Sequence, residues 1–286
     1  MSPAGETGCF DAWPFELKEV LESEADGFFT VLPMRSVDST NEELKRRIRA
    51  LKDSEELPEG LTAAAAEQTA GKGRLGRTWE SPMGESAYFS FLLRPSVPVE
   101  NISMLTLLMG LSVAEAVNGL YHAGASIKWP NDVVIGSKKI CGILTEAFFR
   151  KGTDIPYVIV GTGINVNNPS FDGELKDKAL SLRMFLNEEV SPARITASVL
   201  RRFAFNYQHF LEKRDLHTVK ERYNAILVNK ERDVRVEDPA GPYTGIARGI
   251  DDFGRLAVDR AGEDGRSERV YISSGEVSVR GLYGYV

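Results

Sequence analysis

Between Gly71 and Trp79 the chain reads Gly-Lys-Gly-Arg-Leu-Gly-Arg-Thr-Trp, which packs three glycines and three cations into seven residues and follows them with an aromatic. Glycines let a backbone come close to a ligand and gather its N–H groups around phosphate oxygens. Arginine adds a planar fork suited to phosphate or carboxylate. The stretch lacks the Lys-Ser/Thr ending of a P-loop, and taken alone it describes a solvated basic loop equally well. A second cluster, Lys128-Trp129-Pro130-Asn131-Asp132, is followed by Lys138-Lys139-Ile140-Cys141-Gly142. Pro-Asn-Asp is a good turn in any protein, and a lysine pair before an apolar strand is commonly a solvated edge. The third cluster, Gly161-Thr162-Gly163-Ile164-Asn165-Val166, lacks the third glycine of a dinucleotide fingerprint. The fourth is Ser39-Thr40-Asn41, where a helix N-cap accounts for the residues as well as a binding role does.

Bulk properties narrow the chemistry. The chain is 42% hydrophobic and 27% charged, an ordinary globular balance, and its net charge of −6 makes a broad footprint for nucleic acid unexpected. Cys9, Cys141, His122, His209 and His217 show no zinc-like spacing. So few cysteines fit a reducing compartment. The segment from Met1 to Trp13 carries Glu6 and Asp11 and lacks the basic-then-apolar order of a secretion signal. The longest near-apolar stretch, Ile102 to Ala114, is too short to span a bilayer and reads as a buried helix. A cytoplasmic protein without a membrane partner is the expectation.

Several elements must position these clusters. Phe15 to Ser23 suits a short helix and Phe28 to Val37 an extended segment. Ser39 and Glu42 have capping-box spacing ahead of Leu44, Ile48 and Leu51 on one helical face. Leu61–Gln68, Ala87–Leu93, Ser126–Trp129, Ile140–Phe149 and Tyr157–Val166 read as strands, and Ile102–Tyr121 as a helix. Ser191 and Pro192 can open another helix, along which Ile195, Val199, Phe203, Tyr207 and Leu211 recur every four residues. A further helix is expected over Leu216–Leu227. From Asn229 onward, short β-branched runs alternate with turns, which predicts a small barrel or sandwich. The expected division is an arm over 1–36, an α+β catalytic domain over 37–228 and a small β domain over 229–286.

Taken together and in this order, the four clusters, with Gln68 ahead of the Gly/Arg loop, resemble the biotin protein ligase family from about Val37 to Val166. The resemblance implies a catalytic domain related to class II aminoacyl-tRNA synthetases, followed by an SH3-like β-barrel. It also implies a two-step reaction in which biotin and Mg-ATP give biotinyl-5'-AMP, and a lysine of a biotin carboxyl carrier protein then takes the biotinyl group. On that resemblance Ser39, Thr40, Asn41, Gln68, Gly71, Arg74, Lys139 and Gly142 line the biotin site. Arg74, Arg77, Trp79, Asn131, Asp132 and Asn165 face ATP and the adenylate. Lys139, the lysine directly before Ile-Cys-Gly, and Arg74 carry the catalysis; the metal ligands are not identified.

Two residues depart from the family pattern, Lys72 where arginine is common and Thr162 where an aliphatic residue is usual between the glycines. About 36 residues precede Val37, too few for the winged helix-turn-helix of members that repress biotin genes, so an enzyme-only form that does not bind DNA, monomeric or homodimeric, is expected. Lipoate or octanoate ligases share the fold but not the Gly/Arg loop with Lys-Trp-Pro-Asn-Asp. A biotin-responsive DNA-binding regulator conflicts with the net charge, and a non-catalytic vitamin-binding module has no need of Lys139.

Overall fold

The computed structural model describes residues 10–23, 27–52, 55–76, 78–150, 155–238, 241–262, 266–274 and 278–281. Strands β1 (Thr30–Val37), β2 (Leu61–Lys72), β3 (Thr78–Ser81), β4 (Ser86–Leu93), β5 (Ala125–Lys128), β6 (Asp132–Ile135), β7 (Lys138–Phe148) and β8 (Tyr157–Asn165) make one sheet. Its order is β1-β2-β4-β8-β7-β6-β5, with β3 attached to β2. Only the β1–β2 pair is parallel among these strands; the others run antiparallel.

An amphipathic sheet must cover its apolar faces, and here helices do so unequally. Helices α1 (Trp13–Glu22), α3 (Met104–Tyr121) and α5 (Pro192–Lys213) share one core with Phe89, Phe91, Val158 and Val160. Phe91, Phe203 and Tyr207 form an aromatic run there, with successive ring centroids 4.8 and 5.6 Å apart. On the opposite face α2 (Thr40–Ala50) packs Leu44 and Ile48 against Ala63, Leu92 and Ile159. The stretch Val99–Tyr121 is long and apolar enough by composition to cross a membrane, yet residues 104–114 of α3 are all buried inside the protein.

The remaining helices are short, α4 (Leu182–Leu186) and α6 (Lys220–Ala225), and the chain then forms a second, antiparallel sheet. Strands β9 (Arg232–Glu237), β10 (Tyr243–Ile250), β11 (Leu256–Ala261), β12 (Ser267–Ile272) and β13 (Ser278–Gly281) lie in the order β12-β11-β10-β9-β13. Val234, Val236, Leu256 and Val258 belong to the same core as α3 and α5, so one apolar interior joins both sheets. Trp129 stitches that joint: its backbone N–H donates to Asn229 Oδ1 at 2.9 Å and its indole N–H to the Gly254 carbonyl at 3.1 Å.

Three expectations need correction. Ser39 is the N-cap of α2 but makes no side-chain capping bond, and Glu42 turns to lysines instead of the cap. In α5 a strict four-residue repeat drifts by about 40° per step, so Leu211 has rotated to the surface while Phe210 is buried in its place. The helix expected over Leu216–Leu227 is confined to α6; ahead of it the Leu216 N–H donates to the carbonyl of Asp252, which ties the segment to the β10–β11 turn.

Thr162 lies between Phe89 and Ile143 in the sheet register, and its buried hydroxyl has no hydrogen-bond partner. An isosteric methyl removes that desolvation cost. Thr162→Val is therefore expected to raise stability by about 1 kcal/mol, read as a higher urea midpoint with an unchanged m-value.

Candidate active site

The face of the sheet carrying α2 is where the four clusters meet. Paired residues in adjacent strands share a face, so Asp132, Gly142, Gly163 and Tyr88 form one row across β6, β7, β8 and β4. Leu144, Gly161 and Ser90 form the next row, and Glu146, Ile159 and Leu92 the third. Ile159 and Leu92 sit under the body of α2. Its N-terminus therefore stands over the second row, and the glycine row in front of it is a trough with little side-chain filling.

Each glycine is required for a different reason. A Cβ on Gly161 would lie 2.1 Å from Asn41 Oδ1, so bare backbone is what lets α2 seat on the sheet. A Cβ on Gly142 would lie 2.8 Å from Lys139 Nζ, so this glycine gives the lysine its berth. A Cβ on Gly163 would meet only Tyr88 Cδ1 at 3.8 Å, so here the missing side chain leaves space. Gly71 faces a fourth constraint, with Ser81 Oγ and the Trp79 carbonyl both 2.7 Å from its would-be Cβ.

Lys139 and Gly142 are three residues apart and in a regular strand would face opposite ways. The register shifts between Val133, paired with Cys141, and Val134, paired with Lys139, leaving Ile140 as an extra residue. Ile140 and Cys141 both enter the core, and Lys139 emerges on the face of Gly142. There its ammonium lies 2.7 Å from Asp132 Oδ1 and 4.7 Å from the centre of the Trp79 ring. Trp79 belongs to the β2–β3 arm, and β4 and β8 separate β2 from β7 in the sheet. Contact across that gap requires the arm to arch over the trough.

Arg74 lies at the turn of the arm, in a short 3₁₀ segment, Arg74–Gly76, between β2 and β3. Its guanidinium donates to Asn131 Oδ1 at 3.0 Å and to the Ser274 carbonyl of the second sheet at 2.7 Å. Asn131 is itself held by an Nδ2 bond to the Ile143 carbonyl at 3.1 Å. At the end of β2, next to the turn of the arm, Lys72 Nζ lies 2.7 Å from Glu42 Oε1; hydrogen bonds from Lys72, and then from Lys45, hold the Glu42 carboxyl below its ordinary range despite burial. Arg77 lies outside the described residues.

The opposite end of the trough is polar and uncharged. The Thr40 N–H donates to Gln68 Oε1 at 2.9 Å, and the hydroxyls of Thr40 and Ser90 are 2.6 Å apart. Burial pushes the phenol of Tyr88 up to about 12, which keeps it neutral at physiological pH. Ser39, Thr40 and Asn41 are all buried. Asn165 spends its amide donors on the carbonyls of Leu180 (3.1 Å) and Lys139 (3.3 Å), and so fixes the strand that carries the lysine.

The site thus gathers Thr40, Asn41, Gln68, Gly71, Arg74, Trp79, Asn131, Asp132, Lys139 and Gly142 around one trough, with Asn165 behind it, while Ser39 is buried at the N-cap of α2 with its N–H on Asp38. Sequence reasoning passed over Tyr88, Ser90, Glu146 and Ser274. Tyr88 and Ser90 were detectable as alternate residues of a strand, and Glu146 as the lone carboxylate within the Ile140–Phe149 run. Ser274 carries no such signal, since only its backbone is used.

This mixed sheet with a glycine-floored trough, an arching cationic arm and a trailing small β sheet is that of the acyl-group protein ligases. The model of the biotin/lipoate A/B protein ligase family matches residues 34–165, and that of the biotin protein ligase C-terminal domain matches 231–280. Biotin--[acetyl-CoA-carboxylase] ligase of Mycobacterium tuberculosis is 30% identical, over 91% of this chain and 93% of that protein. The biotin protein ligase of Aquifex aeolicus, solved in complex with biotin and ATP, is 33% identical with a TM-score of 0.74, over 87% of this chain and 98% of its own. The bifunctional ligase/repressor BirA of Bacillus spizizenii is 35% identical over 71% of this chain, and the match spans 62% of that relative's length. The chain belongs to the biotin protein ligase family.

The unequal glycines give a paired expectation. Gly161→Ala destabilises by about 1–3 kcal/mol, because Asn41 is held by other bonds and cannot withdraw. Gly163→Ala leaves the denaturation midpoint within about 0.5 kcal/mol of the parent and instead obstructs the trough. Parallel urea melts of the two variants separate the roles, and equal destabilisation would refute the distinction.

Proposed function

We propose that this chain is an ATP-dependent ligase that forms biotinyl-5'-AMP from biotin and ATP and transfers the biotinyl group to a lysine of a biotin carboxyl carrier protein. The observation that carries this reading is the division of one trough into a neutral, hydrogen-bonding end at Thr40, Gln68 and Ser90 and a cationic end at Lys139 and Arg74. Biotin has the matching polarity: a ureido ring that needs partners when buried, and a carboxylate at the end of an alkyl chain.

In the first step a carboxylate oxygen of biotin attacks the α-phosphorus of ATP, and pyrophosphate leaves. Two anions must approach, and Lys139 and Arg74 offset their repulsion and the charge that develops in transfer. Asp132 positions Lys139 through the 2.7 Å ion pair, and Asn131 with the Ser274 carbonyl positions Arg74. Trp79 on the arching arm offers a flat face to adenine and covers the reactive anhydride against water. The Mg2+ of this proposal accompanies ATP, where it would offset charge on the phosphates. In the second step a neutral lysine amine of the carrier attacks the anhydride carbonyl, AMP leaves, and the amine loses its proton.

The proposal extends to the division of the chain, with residues 37–228 binding biotin and ATP and 229–286 forming the C-terminal domain. It also extends to a cytoplasmic setting with no DNA target.

Incubation with ATP, Mg2+, biotin and a carrier domain, read by intact mass, is expected to add one biotin-sized increment to a single carrier lysine. Omission of ATP, or replacement of biotin by lipoate, should abolish it; a lipoyl increment would move the chain to the sister activity. Lys139→Ala is expected to slow adenylate formation by about a hundredfold or more without unfolding the protein. Arg74→Ala should shorten adenylate retention, and a variant holding the adenylate as long as the parent would remove Arg74 from this role.

A further inference from the structure

Glu146 takes no part in the chemistry above, yet it is anchored on both oxygens. Oε1 accepts from Lys45 Nζ at 2.8 Å and Oε2 from Asn41 Nδ2 at 2.7 Å. Lys45 also contacts Glu42 at 3.0 Å, so the carboxylate is fixed from the helix side as well. We propose that Glu146 is a positioning residue that sets the direction of a hydrogen-bond chain through Asn41 and Ser90, so that the Thr40 hydroxyl is presented to the trough as an acceptor. This rests on the biotin ligase reading and assigns the source of its preference for a ring bearing N–H groups.

The direction follows from counting protons. Around Asn41, Glu146 Oε2 and the Leu144 carbonyl (3.4 Å) are both acceptors, so the NH2 end of the amide must face them. Asn41 Oδ1 then faces Ser90 and can only accept, so Ser90 donates its single proton there at 2.5 Å. Across the 2.6 Å Ser90–Thr40 contact the remaining proton is that of Thr40, which donates to Ser90 Oγ. Thr40 Oγ1 then has no proton left for Gln68 Oε1, 3.2 Å away. Its lone pairs are what it offers a ligand. The Thr40 N–H fixes Gln68 in turn, with Oε1 toward α2 at 2.9 Å and Nε2 beside Gly71 as a donor.

A site that presents a fixed acceptor beside a fixed amide donor fits a cyclic urea, which has both N–H and C=O on one edge. A dithiolane ring has neither and would leave both protein groups unpaired. Sites built to bond a polar ligand group reject analogues without it more strongly than apolar pockets reject a misfit. Remove the Glu146 carboxylate, and only the long 3.4 Å contact with the Leu144 carbonyl still opposes turnover of the Asn41 amide. Asn41 Nδ2 would then donate to Ser90, Ser90 to Thr40, and Thr40 would meet the ligand N–H with its own proton.

The test compares KM for biotin with KM for biotin methylated on its ureido nitrogens, in the carrier-modification reaction. The parent is expected to favour biotin at least about tenfold, the equivalent of one hydrogen bond. Glu146→Leu should raise the biotin KM about tenfold, leave the KM for ATP unchanged and bring the ratio of the two ligands toward one. Glu146→Gln keeps an acceptor oxygen for Asn41 and should recover most of the loss. Ser90→Ala cuts the chain one link further on and should narrow the ratio with Glu146 intact, which covers the case in which Glu146→Leu does not fold. A parental ratio retained in a folded Glu146→Leu or Ser90→Ala protein overturns the proposal. A parent that modifies no carrier with biotin refutes the ligase reading instead, and calorimetric binding of the two free ligands to the same variants then decides the polarity question by itself.

Discussion

The seat of α2 on the bare backbone of Gly161 is the contact on which the site depends. With only 2.1 Å between Asn41 Oδ1 and the point where a Cβ would stand, no other residue permits the helix to lie so close. That approach brings Thr40 within reach of Gln68 on β2 and Ser90 on β4, and Asn41 within reach of Glu146 on β7. Three strands are thereby tied to the first turn of one helix, through buried polar groups that are costly to leave unpaired. The apolar contacts of Leu44 and Ile48 further along set how firmly the helix is held, and the polar contacts set its register.

A second constraint is the shared interior of the two sheets. Gly254, at φ +75°, places a backbone carbonyl under the Trp129 indole, and a Cβ there would lie 2.8 Å from Leu107. Trp129 begins the turn that delivers Asn131 and Asp132, so the second sheet supports the residues that hold Arg74 and Lys139. The Arg74–Ser274 bond returns the connection directly from the cationic arm. The small sheet is therefore part of the site's geometry, whatever else it contacts.

Most strands and the long helices were legible because their periodicity is set by burial on one or both faces, and the site clusters because glycines and cations were concentrated in short stretches. What stayed hidden depends on geometry that the local pattern does not encode. The bulge at Ile140, which turns Lys139 onto the face of Gly142, leaves no mark in a run of β-compatible residues. The two glycines of Gly161-Thr162-Gly163 look equivalent in sequence but answer to different neighbours, one to Asn41 and one to empty space. Trp129 reads as part of a functional motif, and its side chain turns out to serve the joint between the sheets. Ser39 and Glu42 have the spacing of a capping box, but two lysines compete for the glutamate, and charge-assisted bonds outweigh a neutral cap.

The trough also explains why its two ends differ so sharply in charge. At the Thr40 end a cation would have to shed its water among buried hydroxyls and amides, so a neutral hydrogen-bonding set is the less costly way to hold a neutral ring. At the Lys139 end the order reverses, because in the proposed reaction the species to be held would be carboxylate and phosphate, and cations there would regain in attraction what they lose in hydration. Asp132 moderates this: a lysine already paired at 2.7 Å and resting over the Trp79 ring is kept in place before any anion arrives. Pre-positioned charge need not reorganise at the moment of reaction, which is where such groups contribute most. The floor between the ends is smooth and uncharged, made by Gly163 with the neutral phenol of Tyr88, and under the proposed function an alkyl chain would lie across it.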